Sequence, residues 1–385
     1  MRFTTFAAVS AMTAFLVSGY MVPGAQAETV ITVATAGSEN MADYVTDYLG
    51  PKFEAANPGV KVRVIGTGPG DAGSNAILER LEAQMKAGAV ADIDVAVVHQ
   101  KPVGHMVESG LLARYLEQTD AGKLVSSDSA RNALGINVEG YVMPMFHSQT
   151  AWAYNPDLVA NPPKSYTELQ SWVKDHPNAF GYNGIRNGMA GVSFVTGWMY
   201  SETGQGEKMM KGPFDAALLE SAEWKQALAD LKDFNQHVAL TPGNAGTLDM
   251  LNRGEIAIGP VWVDMFYSWQ ADGRLNPSIK LELPEPGMPG QPMYYVVPAK
   301  SANADLAVKF IEMATSPAIQ AEGIVERFNW YPGIDPKHLK GHISEESWNK
   351  LFAEITPEDL AANGKSFPLV DYFNAILTSY ERDVE

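Results

Sequence analysis

The 385-residue sequence contains no cysteine. That absence excludes a disulfide framework, a thiolate metal site, a cysteine nucleophile and a lipid-modified bacterial N-terminus. Basic residues are scarce as well: 28 Lys and Arg stand against 45 Asp and Glu, a formal net charge of −17. Nucleic-acid binders carry a basic patch or stripe, so no nucleic-acid partner is expected. Charged residues are only 19% and hydrophobic residues 46%, too apolar for a disordered chain and ample for a packed core. At about 150 residues per domain the length fits roughly two domains. After the first 27 residues no stretch offers about 18 continuous apolar residues, and no internal repeat or low-complexity tract appears.

What is present begins with an address. Residues 1–27 carry one charged side chain, Arg2, then an apolar run over 6–22 diluted by Ser and Thr. Ala25-Gln26-Ala27 supplies small residues at the two positions a signal peptidase reads. A transmembrane anchor is the competing reading, but the run is short, is interrupted at Ser10, Thr13, Ser18 and Gly19, and ends in a cleavage pattern. Cleavage after Ala27 leaves 27 basic and 45 acidic residues, a net of −18. An exported, soluble, periplasmic protein is expected, untethered by lipid and monomeric.

Strands and helices alternate at the start of the mature chain. Apolar runs at 30–35 and 93–98, and the alternation of Val60, Val62 and Val64 with Lys61 and Arg63, predict strands. Helical stripes at 41–57 and 74–87 lie between them, and Pro102 opens a third helix that Gly110 closes. The pattern argues for an α/β layer with a mainly parallel sheet. Further on, Ser165-Tyr166-Thr167-Glu168 is a capping box. Residues 181–191 read as a Gly-rich loop, 216–238 as one long helix, 256–261 as a buried strand and 294–297 as a short one. Four Pro and two Gly over 284–292 predict a rigid connection. Asn303 is placed as the cap of a helix that Ser316-Pro317 breaks, and 367–380 forms a last helix.

Gly68-Pro69-Gly70-Asp71-Ala72-Gly73 matches the dinucleotide pattern G-x-G-x-x-G. Pro69 and Asp71 crowd a pyrophosphate with a stiff ring and a like charge, and Asp92 and Asp94 sit at the start of the next strand, where no ribose is bound. No cofactor is expected; the helix end is either a plain turn or a wall facing some other ligand. Asp92 and Asp94, two apart on a strand, are read as a strand-entry turn rather than a metal pair. His338 and His342 have metal-ligand spacing, but Gly341 lies between them and no Glu follows in H-E-x-x-H form, so no metal is assigned. No nucleophile elbow, Walker lysine or paired-carboxylate motif stands out. What does stand out is aromatic, namely Trp152, Trp198, Trp262 and Trp330, each with another aromatic nearby at a predicted strand end or loop. Core packing explains any one of them; four clusters favour a cleft lined with flat faces.

Six segments in order add a resemblance. They are Phe53-Glu54-Ala55-Ala56-Asn57-Pro58-Gly59-Val60, Ala91-Asp92-Ile93-Asp94-Val95 with Gly110-Leu111-Leu112, Trp152-Ala153-Tyr154-Asn155-Pro156, Pro162-Pro163-Lys164-Ser165-Tyr166, Arg253-Gly254-Glu255-Ile256-Ala257, and Ala307-Val308-Lys309-Phe310-Ile311 with Ser316-Pro317. Together they resemble the extracellular solute-binding proteins of ABC importers. The resemblance implies a type II periplasmic-binding-protein fold, two α/β lobes each with a mixed sheet flanked by helices. Lobe 1 takes 28–147 plus 295–328, and lobe 2 takes 148–294 plus 329–385. Phe146 to Ala151 and Tyr294 to Val297 are the expected passages between them. The implied function is capture of a small polar solute by hinge closure and delivery to an inner-membrane permease and its ATPase. The implied ligand-binding residues are Ser38, Glu39, His99 and Gln100 after two strands, Ser148, Tyr294 and Trp330 at the crossovers, and Trp262 at the end of its strand with Asp264 two residues on. Phe194 and Trp198 are the second-lobe aromatics.

Aromatic faces beside Glu39 and Asp264 suit a sugar or polyol, or an amine cation held by cation–π contact and charge. The scarcity of Lys and Arg disfavours phosphate or sulfate. Tyr294-Tyr295 resembles the tyrosine pair of ferric-ion receptors, a more distant third choice. The rival class is a secreted hydrolase, which needs a nucleophile and base that the sequence does not display.

Overall fold

The computed structural model describes residues 28–385 apart from 38, 69 and 187; the expected signal peptide, 1–27, lies outside the described residues. Strand β1 (Thr29–Ala36) is buried from Ile31 onward, as befits an apolar run covered on both faces. It pairs in parallel with β2 (Val60–Gly68), whose burial alternates, and with β3 (Val95–His99). Helix α1 spans 39–56, with a π-helical stretch at Tyr44–Leu49, and α2 is Gly70–Lys86. Asp94 fixes the entry to β3, accepting the Thr32 N–H at 2.8 Å and the Ser301 hydroxyl at 2.6 Å. Asp92 is held by Arg80 and Gln84. The strand-entry reading of this pair therefore has a structural counterpart.

After α3 (Gln100–Glu108), the long strand β4 (Met143–Tyr154) changes partners along its length. Residues 143–149 pair with β7 (Met288–Val296), and residues 150–154 pair with β5 (Ile258–Trp262) and in part with β6 (Lys280–Glu282). The order across the nine-stranded sheet is β6-β4-β7-β3-β1-β2. Strand β5 and the short β8 (Tyr331–Pro332) also pair with β4, and β9 (Gly364–Ser366) pairs with β7. One curled sheet thus runs through two layers of helices.

The proline-rich connection expected at 284–292 is corrected. From Met288 onward it is β7, buried throughout. Pro289 and Pro292 lack an N–H, which is why composition pointed away from a strand. The Pro289 carbonyl is served instead by the hydroxyls of Thr150 (2.6 Å) and Ser193 (3.0 Å).

The 181–191 loop is also shorter than expected. A two-residue strand, Gly181–Tyr182, opens it, and α5 (Met189–Thr203) begins inside it. The 216–238 helix is divided by Ser221, which caps α6 (Ala222–Phe234) by accepting the Trp224 N–H at 3.1 Å. Ser165 caps α4 (Tyr166–Asp175) through the Glu168 N–H, while the Glu168 carboxylate reaches back to the Lys164 N–H. Asn303 precedes α9, the helix Ala304–Ala314, but its amide goes to Val30 and Asp94 instead of capping it. Two further helices complete the site: α7 (Gly243–Asn252) and α8 (Val263–Ala271). Past α9, α10 (Pro357–Asn363) and α11 (Val370–Asp383) close the chain. His338 lies in the 3-10 turn Pro336–Leu339, and His342 comes after Gly341 outside it, so they share no helix face.

Candidate functional site

The C-terminal ends of β1, β3 and β5, and one face of β4 and β7, meet around a cleft of about 500 Å³. Ligand crevices of open α/β sheets lie at such strand ends. Alternation along the strands sends Phe146 and Ser148 of β4, and Gln291 and Met293 of β7, into it.

Ser148 donates its hydroxyl to the Asp264 carboxyl in the first turn of α8. Burial pushes the Asp264 carboxyl above its ordinary range, against the lowering effect of the Ser148 hydroxyl and local N–H groups. Trp262, the residue before α8, stands beside it, registered opposite Thr150. His99 ends β3 and is tied to Ser74 of α2: its N–H donates to the Ser74 oxygen at 3.0 Å, and its Nδ1 lies 2.9 Å from the same oxygen. Burial holds this imidazole below its usual range, Asp71 pulling weakly the other way. It is therefore neutral at neutral pH.

Four of the residues expected from sequence, His99, Ser148, Trp262 and Asp264, line this one cleft. The others lie elsewhere. Glu39 is exposed on the first turn of α1, and Ser38 lies outside the described residues. Gln100, one residue past His99, turns into a different cavity. Tyr294 is buried and donates its hydroxyl to the Ser129 carbonyl at 2.5 Å. Trp330 sits behind the wall: its indole N–H donates to the Asp264 carbonyl at 3.0 Å, and its ring lies 4.6 Å from that of Phe146. It positions two cleft residues without lining the cleft. Phe194 and Trp198 are corrected from cleft to core, because the segment that carries them is the buried helix α5.

Sequence reading missed Asn40, Asn244, Gln291 and four methionines, Met41, Met189, Met265 and Met293. Gln291 and Met293 were hidden by the proline-rich appearance of β7; period-2 spacing to Met293 was the available signal. Asp71, read only as an obstacle to pyrophosphate, and Ala72 also line the cleft, so the start of α2 faces it. Asn40 and Asp71 each keep a buried oxygen without a hydrogen-bond partner among the described residues. Gly188 is needed where it is: its φ is +138°, and a Cβ there would come within 2.4 Å of the Asn244 oxygen. Arg186, at the cleft edge, is paired with Glu385 at 2.5 Å.

The family description "bacterial extracellular solute-binding protein" matches residues 49–332, well over half of the chain. The chain belongs to that family. Solute-binding proteins of this kind are the receptors of ABC transporters and work with a membrane permease and an ATPase, and this chain is such a receptor. No curated protein matches it. Among solved structures, an ABC-transporter solute-binding protein from Thermotoga lettingae TMO bound with alpha-D-tagatose superposes with a TM-score of 0.71 at 17% identity, over 92% of this chain and 94% of its own. The spermidine/putrescine substrate-binding protein of Streptococcus pneumoniae gives 0.67 at 15%, over 93% and 100%. The maltose-binding protein of Listeria monocytogenes gives 0.64 at 18%, over 92% and 91%. These solute-binding proteins share the fold and carry different ligands. Among the described residues, no helix is long and apolar enough to cross a membrane.

Proposed function

We propose that this receptor works in the periplasm and clamps a small polar organic solute in the cleft over β4 and β7, passing it on chemically unchanged. One observation carries the reading: residues from β3, β4, β5 and α8, far apart in sequence, converge on a single concavity of ligand size. The lobes are 28–147 plus 295–328, and 148–294 plus 329–385. The partner change on β4 between Gln149 and Thr150 supports the first passage. A solute touching both lobes favours the closed form, because closure adds contacts that the open form lacks.

The wall favours a solute rich in donors. Asp264 and Ser148 suit hydroxyl groups, and Trp262 with Phe146 offers flat faces to a sugar or polyol. An amine is the second reading, favoured by the unpartnered Asp71 oxygen. An oxyanion fits poorly, since the one guanidinium in the wall is already matched by Glu385. A thermal-shift screen against sugars, polyols and polyamines tests this. A solute at 100 times Kd adds about 2.7 kcal/mol, or about 5–10 °C. Product released from an incubated sugar or ester would instead favour the secreted hydrolase, and a shift with ferric salts alone would favour a metal cargo.

A further inference from the structure

The two passing strands have two faces, and the cleft uses one. His147 and Gln149 of β4, and Gly290 and Pro292 of β7, face the other way and border a second cavity of about 600 Å³. Its volume lies within the range of small-molecule sites. The C-terminal part of the chain supplies the opposite wall. Tyr331 and Phe352 stack there, ring centroids 5.6 Å apart at 24°, with Ile334 and Leu360 alongside.

The polar groups that β4 and β7 turn into this cavity, those of His147 and Gln149, are uncharged. Burial pushes the His147 imidazole down to about 4, against the Gln149 side chain that hydrogen-bonds to it, so at neutral pH the ring is uncharged. The Gln149 amide group donates to the carbonyls of Thr150 (2.9 Å) and Met288 (2.8 Å). Gly290 keeps this face open: a Cβ there would come within 2.9 Å of His147 Nε2 and 2.7 Å of Gln149 Oε1. Of the charged lining residues, Asp335 is engaged by Lys337 at 3.0 Å and Lys365 by the Ala362 carbonyl at 2.7 Å; Asp128 is exposed. An ion pressed against His147 and Gln149 would lose water without gaining a counter-charge from β4 or β7.

We propose that this rear cavity is a second binding site, for an uncharged aromatic amphiphile whose ring packs on the Tyr331–Phe352 wall and whose hydroxyl bonds to His147. The site is independent of whatever solute the cleft holds. The probe is 2-naphthol, titrated calorimetrically into the mature chain, with 2-naphthoate as the charged counterpart. Saturable binding of 2-naphthol is expected, at least tenfold tighter than that of 2-naphthoate. Ala361→Trp, which plugs the mouth from the exposed side of α10, abolishes it. His147→Phe weakens it about fivefold, the loss of one neutral hydrogen bond, and adds no bulk at the mouth should Ala361→Trp disturb folding. Trp262→Ala, in the cleft, leaves it unchanged. No saturable binding, equal binding of the two probes, or binding lost in Trp262→Ala and kept in Ala361→Trp would each overturn the proposal.

Discussion

Trp198 and Trp262 look alike in the sequence, each an aromatic beyond a turn or strand, yet they occupy different kinds of place. Trp198 is fully buried mid-helix, with the Phe234 ring 5.0 Å away and its indole N–H on the Ala227 carbonyl at 2.9 Å. Trp262 ends a strand, keeps 7% of its surface, and belongs to a small apolar cluster with partly buried Met189 and Met265 that borders the cleft. The difference originates in the helix that succeeds the Gly-rich turn. Helix α5 is apolar on all sides, so it shows no stripe, and a helix of that kind is a core element. An aromatic gains access to solute where its strand stops, not where the composition is rich in glycine.

Substitutions can break this contrast. The largest effect is expected from Trp198→Ala. Emptying a fully packed site costs about 3–5 kcal/mol, a fall in Tm of about 10 °C or more, while the solute-induced shift survives; calorimetry with and without solute reads both. Next, His147 tests burial away from the cleft. Its pKa of about 4 when folded lies below the usual value of about 6.5, so the unfolded chain binds the extra proton and stability falls as pH drops through that window. His147→Gln should flatten that acid limb by on the order of 3 kcal/mol, seen as Tm against pH. Trp262→Ala should cost the low end of the range given for Trp198→Ala, about 3 kcal/mol, and abolish the solute-induced shift. An intact shift would remove Trp262 from the site, and a cost equal to that of Trp198→Ala would make it plain core. The smallest effect belongs to Glu39→Gln: apo Tm within about 0.5 kcal/mol of the parent, with any change in solute affinity showing that the exposed start of α1 reaches the ligand.

Much of the N-terminal α/β segment was legible because its strands are apolar runs or a clean alternation. The sequence reading placed β1, β2 and β3 within a few residues of their positions in the structure. Of strand β7 only the end, expected at 294–297, was legible; two prolines argued against pairing before it, and the hydroxyls that serve Pro289 come from distant β4 and α5. The helices of residues 345–363 were missed as well, although Thr356 and Asp359 form a reciprocal cap there. In the site, His99 and Trp262 at strand ends were legible, as were Ser148 and Asp264 by resemblance, while Gln291 and Met293 opposite them were not. His99 and Gln100 are neighbours, yet they reach different cavities, because the chain leaves β3 for α3 between them. No local pattern announces which way that turn sends a side chain.

The alternation on β4 has a consequence for length variation. Deleting one residue between Phe146 and Gln149 would exchange the sides of every side chain downstream until the register recovered. Gln149 would then take the place of Ser148 beside Asp264, and Thr150 would leave the Pro289 carbonyl. In this chain the number of residues between Phe146 and Gln149 therefore decides which of the two cavities each side chain faces.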